Sequence, residues 1–191
     1  MAKKDHPEYY KPMHLDLVAA SKKGDQSAQF ELYKLYNDAM FNTALRILGN
    51  SDDAEDVMQE AFLKAFFKLD SYRAEVSFGA WLKKIVVNRS LDFLRTRREH
   101  LALDEVGEPE PEEDGEEVML KHSCSAEEIR RAIESLPEGY RIVLSLILLE
   151  GYDHEEVSQI LNISNATSRT QYHRAKKKLV QLLKEEDTGN D

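Results

Sequence analysis

Cysteine is nearly absent: Cys124 is the only one in 191 residues. That excludes an internal disulfide framework and fits a reducing cytoplasm. A zinc centre is excluded too, because His122, two positions before Cys124, has neither a second Cys nor a His cluster to complete a ligand set. Long apolar runs are also missing. No stretch approaches the ~20 apolar residues that a membrane span requires. The N-terminal MAKKDHPEYYK has lysines but no apolar run behind them, so neither membrane insertion nor a secretory leader is expected. There is no glycine-rich phosphate loop, no nucleophile elbow and no acid–base pair set apart by its neighbours. The expectation is a cytoplasmic protein without catalytic residues, metal or cofactor.

The formal charge of -10 is unevenly distributed. Between Asp104 and Glu117 (DEVGEPEPEEDGEE) stand nine acids and no base, and setting these nine aside leaves 27 acids against 26 bases. The same stretch holds Gly107, Pro109, Pro111 and Gly115 and almost no large apolar residue, so it cannot bury enough surface to offset its ordering entropy. Two segments outside it are basic: 83–99 has six bases against two acids, and 169–184 has six against none. The composition therefore predicts two small helical domains, 1–100 and 125–186, joined by a flexible acidic linker at 101–124 and followed by a disordered tail at 187–191. Each is large enough for a core of its own.

Helical periodicity runs through the first unit. In 27–48, Phe30, Tyr33, Leu35, Tyr36, Met40, Ala44, Leu45 and Leu48 recur at helical intervals before the stop at Gly49. The next helix is the most regular: Asp52 with Glu55 reads as a capping box, and Ala54, Val57, Met58, Ala61, Phe62, Ala65, Phe66 and Leu69 form one stripe. Its other face shows Asp53, Asp56, Glu60 and Lys64. Acids in a first turn complement the helix dipole, but Glu60 lies too deep for that, so this face is a candidate docking surface for a basic or helical partner. A third helix, from about Ser77 to Arg98, has a core stripe of Leu82, Ile85, Val86 and Phe93 and a cationic arc of Lys84, Asn88, Arg95 and Arg98. Before it, 70–78 (DSYRAEVSF) is a polar loop with two aromatics. A basic helix beside ring faces suits single-stranded or melted DNA. For Tyr72, Phe78 and Trp81 a core role competes with base stacking, and for Trp81 the core role is favoured.

In the second unit, 153–161 (DHEEVSQIL) reads as a helix capped by Asp153, with Val157, Ile160 and Leu161 at helical spacing. Asn162, Ile163 and Ser164 then form a tight turn, for which Asn tolerates the left-handed conformation. The following helix, capped by Ser164 or Asn165, puts Tyr172, Ala175, Leu179, Leu182 and Leu183 on one stripe and Thr170, His173, Arg174 and Lys177 on another. Two helices joined by a short turn, the second with a basic exposed face, predict a helix-turn-helix that reads duplex DNA in the major groove.

GDQSAQFELYKLY at 24–36, DDAEDVMQEAFLKAF at 52–66 and FGAWLKKIVVNRSLDFLRTRR at 78–98 resemble region 2 of the extracytoplasmic-function (ECF) sigma factors. LPEGYRIVLSLILLEGYDHEEVSQILNIS at 136–164 and RAKKKL at 174–179 resemble their region 4. The resemblance implies an all-α protein that binds core RNA polymerase, reads a minus-35 element as duplex promoter DNA and opens and reads a minus-10 element. It assigns Asp53, Asp56, Gln59 and Glu60 to docking on the polymerase clamp. To the minus-10 strand it assigns Lys84, Asn88, Arg89, Asp92, Arg95 and Arg98, with loop 71–77 pocketing a flipped base. To the minus-35 duplex it assigns Asn165, Thr167, Arg169, Thr170, His173, Arg174 and Lys177. It also implies an anti-sigma factor that wedges between the two domains.

The turn departs from the family pattern G-I-S-x-G-T-V-K-S-R: here it reads NISNATSRTQ, with Asn162 and Ala166 for the glycines, Ser168 for the valine and Gln171 for the last arginine. One phosphate or base contact is thereby lost. Two other classes compete. A conventional helix-turn-helix regulator with a helical N-terminal domain needs a dimer interface or ligand pocket and has no use for the cationic helix at 84–98. An adaptor that mimics the family to capture its inhibitor keeps the acidic helix but loses the bases of the third and last helices, and this chain keeps both sets.

Overall fold

Gly49 and Asn50 separate the two longest helices of the first half, and each does so by its backbone. The computed structural model describes residues 14–101 and 124–188, with side chains through 97 and again from 124 to 184. Among the described residues eight α-helices run in the order α1 Leu15–Lys22, α2 Gln26–Leu48, α3 Ser51–Phe67, α4 Phe78–Leu101, α5 Ala126–Glu134, α6 Glu138–Leu144, α7 His154–Leu161 and α8 Asn165–Thr188. No strand occurs among the described residues. The acidic stretch 104–117 and His122 lie outside them. Because α8 continues to Thr188, residues 187 and 188, expected in a disordered tail, are helical.

α2 starts where the Asp25 carboxylate accepts from the backbone N–H groups of Ser27 (2.9 Å) and Ala28 (3.2 Å), and it ends on Gly49 at φ 71°. Its buried face is set by Ala28, Leu32, Met40, Thr43, Ala44, Ile47 and Leu48. Phe30 and Leu35, expected on the core stripe, are instead 59% and 50% exposed. Apolar residues occur on nearly every side of α2, so helical spacing does not decide which of them pack, and the neighbouring helices select the face that is buried. α3 is capped by Asn50, whose side chain accepts from Asp53 N–H at 2.9 Å. The expected Asp52–Glu55 box does not form, because the extended backbone at Asn50 starts the helix two residues earlier. The α3 stripe is otherwise as the pattern predicts, with Ala54, Val57, Met58, Ala61, Phe62 and Ala65 buried and Phe66 partly so.

α1, α2, α3 and α4 pack around one core. α4 buries Phe78, Leu82, Val86, Val87, Leu91 and Leu94, while Ile85 and Phe93 only line its edge. Gly79 lets the Tyr36 ring lie against the first turn of α4: a Cβ there would sit 2.8 Å from Tyr36 Cε1. A second core joins α5, α6 and α8 through Ala132, Ile133, Leu136, Leu144, Ala175, Leu179 and Leu183. Ile142, Leu146 and Val157, from the second half, are buried in the first core rather than the second. The two halves therefore share apolar surface.

Candidate nucleic-acid and polymerase interfaces

The helix-turn-helix is built by three local devices. Asp153 and Glu156 form a reciprocal capping box at the start of α7, with Glu156 N–H donating to Asp153 Oδ1 (2.8 Å) and Asp153 N–H to Glu156 Oε2 (2.9 Å). Asn162 then takes the left-handed conformation at φ 55°, ψ 46°, which turns the chain by about a quarter to a third of a circle between helices of this motif. Ser164 resolves the choice of cap for α8: its Oγ accepts from Thr167 N–H at 3.0 Å, and Asn165 is the first helical residue. Ser168, where a valine was expected, is fully buried, with its Oγ 3.0 Å from His154 Nδ1, and the His154 ring meets Tyr172 edge-on at 5.4 Å. A hydroxyl is tolerated in that core because it has this partner.

Of the residues expected on duplex DNA, Thr167, Arg169, Thr170 and His173 are exposed, whereas Asn165, Arg174 and Lys177 are half-buried. Asn165 Nδ2 donates to Glu155 Oε2 (3.3 Å) and Thr170 Oγ1 to the Ala166 carbonyl (3.0 Å), so both polar groups already serve the motif itself. Arg169 is the first charged residue along α8, and it is exposed.

On α4, Lys84 and Asn88 are exposed. Arg89 Nε donates to Glu60 Oε2 at 2.6 Å, which fastens the expected DNA face of α4 to the expected polymerase face of α3. Asp92 pairs with Arg95 one turn on (3.3 Å), and Arg95 Nη2 also donates to the Ile160 carbonyl of α7 at 2.7 Å. The Arg98 side chain lies outside the described residues. In the loop before α4, Tyr72 and Phe78 are buried core residues with their rings 5.8 Å apart, and half-buried Trp81 packs on both. Tyr72 OH donates to the Val76 carbonyl (2.7 Å) and so ties the loop across its width. Those rings hold the loop in shape rather than offering free faces to bases.

The acidic face of α3 has Asp56, Gln59 and Glu60 exposed, while Asp53 is half-buried and pairs with Arg97 at 3.0 Å. Two residues that the periodicity did not single out extend this face by one turn each: Leu63, 71% exposed, and Phe67, 91% exposed. Their signal in the sequence was that they stand outside the regular α3 stripe. Acids followed by bare apolar side chains along one ridge suit a partner helix with basic and apolar groups in series.

Residues 32–100 match Sigma-70 region 2, and residues 126–179 match Sigma-70, region 4. Over 179 residues the chain is 31% identical to the ECF RNA polymerase sigma factor SigW of Bacillus subtilis, covering 86% of this chain and 93% of that protein. The chain belongs to the ECF RNA polymerase sigma factors. It is also 34% identical over 170 residues to the ECF RNA polymerase sigma-E factor of Escherichia coli K12, covering 84% of this chain and 88% of that one. Among solved structures, the sigma factor RpoE of Bartonella quintana, in complex with the anti-sigma factor NepR, has the same fold at a TM-score of 0.54 and 24% identity, covering 81% of this chain and 95% of that one. As an ECF sigma factor the chain is an alternative sigma factor, which directs RNA polymerase to promoters. A conventional helix-turn-helix regulator is thereby set aside.

The most tightly held charges of this ECF sigma factor lie away from all these faces, and sequence reasoning missed them. Glu150 follows a π-helical turn at Ser145–Leu149, closed by Glu150 N–H on the Ser145 carbonyl at 3.0 Å. Its side chain is only 2% exposed and accepts from Arg46 on α2, while Lys83 Nζ on α4 lies 3.2 Å from Oε2. Arg141 on α6 is likewise buried and donates to the carbonyls of Ile47 (3.4 Å) and Leu48 (3.2 Å) at the C-terminus of α2. Burial pulls its guanidinium below the usual range, with the nearby Glu138 opposing the shift. Among the described residues no group of three or more His, Cys, Asp or Glu is placed to hold a metal, and no helix is long and apolar enough to cross a membrane.

Proposed function

We propose that the two ends of this sigma factor divide promoter recognition between them, as a region 2 domain at 1–100 and a region 4 domain at 125–186. α8 reads the minus-35 duplex through Arg169, Thr170 and His173, with Thr167, Asn165, Arg174 and Lys177 beside them. α4 faces the melted minus-10 strand with Lys84, Asn88, Arg89, Asp92, Arg95 and Arg98. α3 docks on the polymerase clamp through Asp53, Asp56, Gln59 and Glu60, and its exposed Leu63 and Phe67 add apolar contact. The observation that carries this reading is the capped helix-turn-helix whose second helix exposes Arg169, Thr170 and His173 side by side. The protein acts in the cytoplasm and by binding alone, with catalysis left to the polymerase and without a cofactor.

Mixing the protein with core RNA polymerase and a promoter library, then sequencing the transcripts, is expected to give specific start sites preceded by two recurrent elements at a fixed separation. Duplex binding by the free protein without polymerase-dependent starts would overturn the proposal. An anti-sigma factor is proposed as a further partner, supported by solved relatives of the same fold described as complexes with such proteins, RpoE with NepR and CnrH with the cytosolic domain of CnrY. Affinity capture from native cells should therefore yield a second protein besides polymerase subunits. Recovery of polymerase alone counts against that partner.

A further inference from the structure

We infer that the free protein is held closed by a charged latch centred on Glu150, and that this closed state withholds α4 from its partners. The inference deepens the reading above and rests on it for the identity of those partners. The ion pairs of Glu150 all cross between the two halves. Glu150 reaches α2 and α4 at once: Arg46 Nε donates to Oε1 at 3.0 Å, and Lys83 Nζ donates both to Oε2 at 3.2 Å and to the Glu150 carbonyl at 3.3 Å. Thr43 Oγ1 lies 3.5 Å from both carboxylate oxygens. Arg141 then seats on the C-terminus of α2, where the helix dipole favours a cation and where the left-handed Gly49 leaves room for it; a Cβ there would lie 2.8 Å from the guanidinium carbon. Around these charges Ile142, Leu146 and Val157 complete the first core.

The latch has a local origin. An i to i+5 turn turns the helical face out of register with the preceding α-helix. Leu146 within the π-helical turn and Glu150 just after it are buried against the first half, while Leu148 and Leu149 of the same turn remain exposed. A partly formed version is unfavourable, because a buried carboxylate without its cations carries a large desolvation cost. Closure is therefore close to all-or-none.

Closure engages residues needed elsewhere. Arg95, proposed for the minus-10 strand, is held on the Ile160 carbonyl at 2.7 Å, and Arg97 spans from Asp53, proposed for polymerase docking, to Glu138 of α6 at 3.0 and 3.5 Å. The reading residues of α8 are not part of the contact: Arg169, Thr170 and His173 stay exposed. Asp53 pairs with Arg97 inside its own half, and Asp56, Gln59 and Glu60 stay exposed, so the closed state competes with the minus-10 strand but with neither polymerase docking nor duplex binding by α8. A protein whose competent state is a minor fraction binds more weakly by that fraction.

The test uses the full chain with Cys124→Ser, Ala39→Cys and Gln181→Cys for paired spin labels at two exposed sites, and unlabelled protein for affinities. Glu150→Gln and, separately, Arg46→Ala are expected to lengthen and broaden the label separation with helical content unchanged. Affinity of the free protein for a mixed-sequence single-stranded DNA oligonucleotide should rise by about fivefold or more, as release of a minor competent state requires. Affinity of the free protein for duplex DNA should not change. Separations equal to those of the parent in both variants overturn the latch, and a longer separation without a gain in single-strand affinity overturns its inhibitory role. If neither parent nor variant binds the oligonucleotide, the proposed minus-10 role of α4 falls, and the separation still decides whether the latch exists.

Discussion

Replacing Phe78 by alanine is expected to lower stability by about 3–5 kcal/mol, the range for deleting a fully buried phenylalanine. Phe78 is 0% exposed and opens α4 with its ring against Tyr36 at 5.3 Å, Tyr72 at 5.8 Å and Trp81 at 5.8 Å. Truncation removes the centre of that cluster, and its neighbours cannot close in freely. Gly79 already allows Tyr36 as near as the backbone permits, and Tyr72 is tied to the Val76 carbonyl. A loss of that size is a large part of the ~5–15 kcal/mol that holds a domain folded. With a slope of roughly 1–3 kcal/mol per molar urea, the unfolding midpoint should fall by more than 1 M. Phe67→Ala provides the contrast. Its ring is 91% exposed, so the same substitution on α3 should leave the midpoint nearly unchanged, within about 0.5 kcal/mol. Equal effects at the two positions would show that the aromatic cluster does not anchor the first core.

The difference between those two phenylalanines also shows where the sequence is readable. α3 was legible because its apolar residues recur with unbroken helical offsets, so Phe62 falls inside the stripe and Phe67 outside it. α2 was misread at Phe30 and Leu35 because that helix carries apolar residues on nearly every side, and only the neighbours in space select the face that packs. The aromatics at 72 and 78 sit where periodicity stops, in and just after a loop, and there spacing alone does not separate a core ring from one that stacks on a base. The turn at Asn162 was legible because a left-handed residue between two helices has few chemical solutions.

The latch was not legible for a different reason. Thr43 and Lys83 meet Glu150 across 107 and 67 residues, and no local pattern marks Glu150 as buried: it stands between an exposed Leu149 and Gly151 in a segment that reads as a helix end. Helical periodicity tells which residues share a face. Which face of another helix it meets depends on the packing of the whole chain, and here a π-helical turn shifts the register just before the decisive carboxylate. The same limit applies to Arg95 and Arg97, whose partners on α7 and α6 could not be assigned from α4 alone.

Arg169→Ala is expected to abolish discrimination at one base pair of the minus-35 element while leaving preferences elsewhere intact. Arg169 is exposed in the second turn of α8, beyond the Ser164 cap, with its guanidinium not occupied by the motif in the way that the Asn165 amide is. A guanidinium that makes two hydrogen bonds to one guanine is worth about 1–3 kcal/mol of discrimination, roughly 5- to 150-fold in relative affinity. Lys177→Ala provides the second arm. It stands two turns further along α8 and is half-buried; on the proposed reading it contacts a phosphate, and a phosphate contact carries no sequence information. Its loss should weaken binding to all sequences alike and reduce the slope of log affinity against log salt by about 1. Competition binding of randomised duplexes by the polymerase-bound protein separates the two, since one variant flattens a single column of the recovered motif and the other lowers every affinity together. If Arg169→Ala lowers all affinities uniformly with every column intact, Arg169 holds the backbone instead. The base-reading role then passes to Thr167, Thr170 and His173, the other exposed residues assigned to the duplex.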